Sequence, residues 1–152
     1  MSLIGKIIRF VIEKKAAKKK LNILQNDLRT SSQRVAERIR SAADTRENRG
    51  QASHLTGIER WAQPRLRVFL GDQLVQEEYN GYRPSQGLNM AAQARAFSET
   101  RTATLNLIAA LEKAKIPDTQ TVPHNDLGQL SLRGWLLYLE SHANRESLGL
   151  KS

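Results

Sequence analysis

The chain of 152 residues contains no cysteine. That excludes a disulfide framework, a thiolate metal site and a cysteine nucleophile, so any thiol chemistry takes its thiol from a substrate. Absence of disulfides fits a reducing compartment. Aromatic residues make up only 5% of the chain and there are three histidines, so each ring and each imidazole is worth placing. No run is long and apolar enough to span a bilayer. The first twenty residues also fail as a secretory leader, because Lys6 and Arg9 interrupt the apolar stretch and no small-residue cleavage site follows. The expected location is cytoplasmic. There is no Gly-rich phosphate loop, no HExxH, no nucleophile elbow and no alternating pattern that predicts a strand.

What is present is helical. A chain of this length builds one domain with a real core. The hydrophobic fraction, 39%, suits helices that each bury a single stripe. The formal charge is +9, and residues 1–20 hold seven basic side chains against one acid, Glu13, hence +6 of that excess. The remainder is only mildly basic, which argues against a nucleic-acid role for the whole domain. Within the basic segment Ile4, Ile7, Ile8, Val11 and Ile12 mark one face of an amphipathic helix. That face predicts packing on the rest of the chain or on a neighbouring subunit. A membrane-surface role, with lysines near anionic headgroups, and a basic arm are the other readings.

Thr30 and Gln33 fit a capping box, so the spacing predicts a helix boundary over 29–33 and a second helix through Val35 and Ile39. Asp44 to Gly50 reads as a connection. From Gln51 the pattern is helical, with His54, Ile58 and Trp61 at i, i+4, i+7. Pro64 predicts a kink or break and Gly71 a stop. Asp72 to Gly87 is a long connection, either a plain crossover or a lid. Leu88 to Lys115 is the clearest helix, with the stripe Met90, Ala94, Phe97, Arg101, Leu105, Ile108 and Leu111, closed by Pro117. Arg101 is the charged member of that stripe; it reads as a border residue reaching solvent or as an anion contact. Asp118 to Leu130 is turn-rich. The pattern predicts Ser131 as N-cap of a last helix carrying Leu132, Trp135, Leu139, His142 and Glu146 on one face, up to Gly149. Trp61 and Trp135 stand at core spacing.

The polar residues on those apolar stripes carry the chemical reading. His142 and Glu146 are four apart on a helix and point the same way. His54 lies on another apolar face. Two packed helices would bring two imidazoles and a carboxylate together, a competent set for Zn²⁺ or Ni²⁺ with positions open for substrate. The bland reading is a hydrogen-bonded histidine on each face and a solvated last turn. His124 is either a surface loop residue, a further ligand or a general base.

The stretch His54-Leu-Thr-Gly-Ile-Glu-Arg-Trp61 and the stretch His124-Asn-Asp-Leu-Gly128 through Trp135 to His142-Ala-Asn-Arg-Glu146 resemble the second- and fourth-helix motifs of the DinB-like superfamily. The resemblance covers roughly Ser32 to the C-terminus. It implies an all-α, four-helix bundle over residues 31–150 with a long crossover, preceded by a basic amphipathic extension over 1–30, and a homodimer. It also implies a divalent metal held by a histidine of the second helix and an HxxxH pair of the fourth. His54 and His142 match; Glu146 stands where the pattern has histidine. Metal-binding relatives include transferases of low-molecular-weight thiols, so the resemblance implies a metal-dependent thiol transferase acting on a small molecule, with His124 and Arg101 as catalytic or substrate contacts. The alternative is a non-catalytic interaction module in which residues 1–20 bind a protein partner, an anionic membrane surface or nucleic acid.

Overall fold

The computed structural model describes residues 2–152, and these are mostly helical with one small sheet. Five helices run α1 Leu3–Ala16, α2 Leu21–Ser41, α3 Arg46–Val68, α4 Met90–Ala114 and α5 Leu132–Ser147. Helix α2 packs on α4 and α5, and α3 packs on the same two, while α1 lies against α5 and the sheet. No described helix is long and apolar enough to cross a membrane.

The boundary predicted at Thr30 does not form. Helix α2 runs through it without a break. Ser31 donates from Oγ to the Leu28 carbonyl at 3.3 Å, the back-bonding that lets a hydroxyl sit inside a helix. Leu24, Leu28, Ser31, Val35 and Ile39 are then one continuous buried stripe. The predicted connection at Asp44–Gly50 is also shorter than expected. Thr45 caps α3 by accepting from the Asn48 amide at 3.2 Å, and the helix starts at Arg46.

Pro64 neither breaks nor ends α3. The missing amide leaves one carbonyl of the preceding turn without its usual partner, but side chains of the turn just before the proline tie the helix to α4. Gln63 donates to the Thr100 carbonyl at 3.0 Å and Arg60 to Thr100 Oγ1 at 3.1 Å. Trp61, Ala62, Arg65 and Leu66 are buried around it. Gly71 takes φ 105°, just beyond the end of the helix.

The long connection between α3 and α4 contains a 3₁₀ turn, Tyr79–Tyr82, and is strapped to α3. Arg83 donates to the Gly50 carbonyl at 2.7 Å, and Ser53 Oγ donates to the Pro84 carbonyl at 2.7 Å. Gly57 permits this close approach. A Cβ added there would stand 2.6 Å from Arg83 Cγ and 3.2 Å from its Cα. Gly57→Ala is therefore expected to cost about 1–2 kcal/mol net, because overpacking against Arg83 outweighs the helix propensity gained. Urea unfolding of the variant measures this.

The link before α5 is an antiparallel hairpin, a correction to the strandless reading. β1 Thr121–His124 pairs with β2 Gly128–Ser131 in the register Val122↔Leu130 and His124↔Gly128. Val122, His124 and Leu130 point inward and are buried, but strands of four residues, one holding a proline, leave too short an alternation to detect. Ser131 does cap α5, accepting from the Gly134 amide at 3.0 Å.

The apolar core forms two clusters. One gathers Leu24, Leu28, Trp61, Leu66, Ile108 and Trp135; the other gathers Val35, Ile39, Leu55, Phe97 and Met90. Between them lies a buried ion pair. Arg101, 0% exposed, gives Glu59 two bonds of 2.6 and 2.9 Å, and its Nη1 reaches the Leu28 carbonyl at 2.9 Å and Ser31 Oγ at 3.0 Å. Arg101 is thus not a border residue reaching water. All of its fork is spent inside the core.

Candidate functional site

The chemistry-bearing side chains converge where α3, α5, the hairpin and the 3₁₀ turn meet. The stripe of α5 that opens with Leu132 and Trp135 carries on to His142, which is 8% exposed. Helix α3 presents His54 from the facing side. Their ring centroids are 5.5 Å apart. Both line a cavity of about 490 Å³, together with His124, Tyr79, Tyr138 and Glu146. All three histidines of the chain therefore face one space, as do the metal-ligand candidates His54, His142 and Glu146.

His124 is not a surface loop residue; it is 6% exposed. Its Nδ1 accepts from the Asp126 and Leu127 amides at 3.0 and 3.2 Å, which ties off the hairpin turn. Nδ1 is therefore the unprotonated nitrogen of the neutral ring. The proton sits on Nε2, which is buried and has no hydrogen-bond partner among the described residues. The ring is enclosed by Tyr138, at 4.6 Å between centroids, Trp61, at 5.1 Å, and Trp135, at 5.3 Å. Arg65 holds the hairpin over α3, donating to the Pro123 carbonyl and to Asn125 Oδ1, the latter at 2.6 Å, with its guanidinium over Trp61.

Burial sets the charge state. It pushes His142 down to about 4, helped by the neighbouring His54 and opposed by Glu146. Burial also pushes His124 down to about 4, with the Arg65 charge adding to it. His54 is lowered by burial and then by Arg83, against the pull of Glu146. Tyr138 is raised, chiefly by burial, and stays a neutral phenol. At neutral pH the cavity thus holds three uncharged imidazoles; His54 and His142 offer a lone pair to a proton, a metal ion or a ligand donor, whereas that of His124 is already taken by the Asp126 and Leu127 amides.

Glu146 is half-buried and is held aside. Its Oε2 accepts from Gln51 Nε2 at 3.0 Å, and Arg145 stands 3.7 Å away. Among the described residues no three histidine or acidic side chains stand close enough together to form a complete metal site. His54 and His142 form a pair, and the nearby carboxylate is engaged by Gln51. Arg101 lies outside the cavity altogether, locked to Glu59 in the core.

Tyr138, Tyr79 and Gln51 belong to the site and carry no role in the sequence reading. Tyr138 stands one turn before His142 on the same face, a spacing that could have marked it. Tyr79 comes from the long connection, where no periodicity points. Helix α1 contributes Ile7, Ile8 and Val11 to one wall. Comparison with known protein families, with curated proteins and with solved structures gives no match for this chain.

Proposed function

We propose that the chain is a DinB-like four-helix bundle, built from α2–α5 with the connection before α4 as its crossover, and that it is a metal-dependent group-transfer enzyme acting on a small molecule, with a low-molecular-weight thiol as the group donor. The observation that carries this reading is the His54–His142 pair in the cavity: two neutral imidazoles from different helices, 5.5 Å apart at their centroids. At metal–nitrogen distances of about 2.0–2.1 Å, a tetrahedral ion holds two imidazole centroids about 5 Å apart. The spacing of the two rings is therefore close to what one shared ion requires. Glu146, which lines the same cavity, would be the third ligand, released from its hydrogen bond with Gln51.

A bound divalent ion supplies a lowered pKa to a coordinated thiol or water. The chain's own residues do the rest. Burial keeps His54 and His142 unprotonated, so no proton has to be displaced from them at neutral pH. Tyr138 and Tyr79 wall the space with rings, which suits a partly apolar substrate. The His124 Nε2–H is a buried donor without a partner beside the cavity, and it would meet an anionic or carbonyl oxygen of that substrate only if the side chains enclosing it moved.

Calorimetry with zinc and with nickel, on protein purified without a metal-affinity tag, tests the proposal. One ion per chain is expected. His54→Ala and His142→Ala should each weaken binding by at least 100-fold, beyond the 10–100-fold that loss of a supporting group costs. Glu146→His should tighten it. Wild-type protein that takes up neither metal and gains none as Glu146→His would sink the metal reading.

A further inference from the structure

Helix α1 packs the wrong way round for an ordinary amphipathic helix. The face it turns to the body is narrow and mostly small or polar: Gly5 and Ala16 are buried, with Glu13 half-buried between them and Ile12 its one large apolar member. Its apolar face looks outward. Leu3 is 73% exposed, Ile4 70%, Ile7 55% and Phe10 65%. The reason is an anchor near its C-terminal end. The Glu13 carboxylate accepts from the Ser131 amide at 2.8 Å and from Ser131 Oγ at 2.7 Å, so it sits on the N-terminus of α5. Gly134 makes room for it; a Cβ there would lie 2.1 Å from Glu13 Oε1. The anchor fixes the rotation of α1, so that Ile12 packs against the core while Leu3, Ile4, Ile7 and Phe10 stay largely exposed.

An exposed apolar stripe of this kind marks a binding surface. Its charge says for what. Lys14 and Lys15 follow Phe10 and Val11 by one turn on the outward face, and Lys6, Lys18 and Lys20 are exposed around it. None of these five has a carboxylate partner among the described residues; Lys19 alone is paired, with Asp27 at 2.8 Å. A second copy of the chain would press one +6 segment against another, with its single acid, Glu13, already used. An anionic bilayer has the complementary charge and an apolar layer for the isoleucines. The geometry points to α1 as a docking helix for anionic membrane surfaces, lying in the headgroup plane with Ile4, Ile7 and Phe10 inward and the lysines at the phosphates. Ile7, Ile8 and Val11 also form the cavity wall, so docking sets the histidine cavity beside the lipid surface. This inference stands apart from any metal at the histidines.

Co-sedimentation with vesicles tests it, comparing pure phosphatidylcholine with phosphatidylcholine containing phosphatidylglycerol. The full chain is expected to bind the anionic vesicles, not the neutral ones, and to be released by salt. Lys14→Ala with Lys15→Ala should weaken binding about 30-fold, and Ile7→Asp should abolish it. These side chains are exposed, so circular dichroism and the melting temperature should not change. Equal binding to both vesicle types, or none, overturns the proposal. So does a dimer in sedimentation equilibrium that Ile7→Asp dissociates, since a second copy would then own the face.

Discussion

Arg101→Ala is expected to destabilise the fold by about 3–5 kcal/mol, read as a fall in the urea midpoint at unchanged slope. Glu59, its partner, is 2% exposed, and both of its oxygens are bonded to the guanidinium. Removing the arginine leaves a carboxylate with no counter-charge between two apolar clusters. It also strips the Leu28 carbonyl and Ser31 of a donor. Arg101→Lys should recover little of the loss, because an ammonium cannot reproduce a fork that serves Glu59 and α2 at once. Removing both charges is a different matter. Arg101→Met with Glu59→Met should come close to wild type, since the pair's mutual attraction is largely offset by its desolvation. A loss under 1 kcal/mol for Arg101→Ala would mean that water reaches Glu59 and that the layer is not sealed as described.

That pair also shows where the sequence is legible and where it is not. The stripe from Met90 to Leu111 and the stripe from Leu132 to His142 are buried almost as their spacing predicts. This is why His54 and His142, being members of such stripes, could be brought together on paper. A stripe gives a residue's face but not its partner. Arg101 looked like a border residue because Glu59, on another helix, has no sequence relation to it, although an acid between Leu55 and Ala62 on an apolar face was a signal. The Thr30 boundary failed for a related reason: a hydroxyl run reads as a cap unless the carbonyl three residues back takes the bond. Helix α1 is the plainest case. Its wheel shows an apolar face, but Glu13 on Ser131 decides which face docks, and that contact joins positions 118 residues apart.

Acid should unfold this protein earlier than its carboxylates require. In an unfolded chain His124 and His142 bind protons near pH 6.5; in the folded chain burial defers this to about 4. Between those values the unfolded state holds more protons than the folded one, so stability falls as the pH falls. Each histidine, counted singly, forfeits roughly 3 kcal/mol across the window, and His54, lowered in the same direction, adds to the loss. Glu37 and Asp44 do not confuse the reading. The Ser41 hydrogen bond to Glu37 and the Arg49 hydrogen bond to Asp44 hold both below the ordinary carboxylate range, so their effect falls at the acid end. Urea unfolding of chelator-treated protein at pH 7.5 and again at about pH 4.5 is therefore expected to differ by several kcal/mol. His142→Gln removes one of the two large shifts and should flatten the dependence by about half. A profile that is level from 7.5 to 4.5 in the wild type would mean that the imidazoles meet solvent freely, and the cavity would then lose the neutral donors on which its chemistry depends.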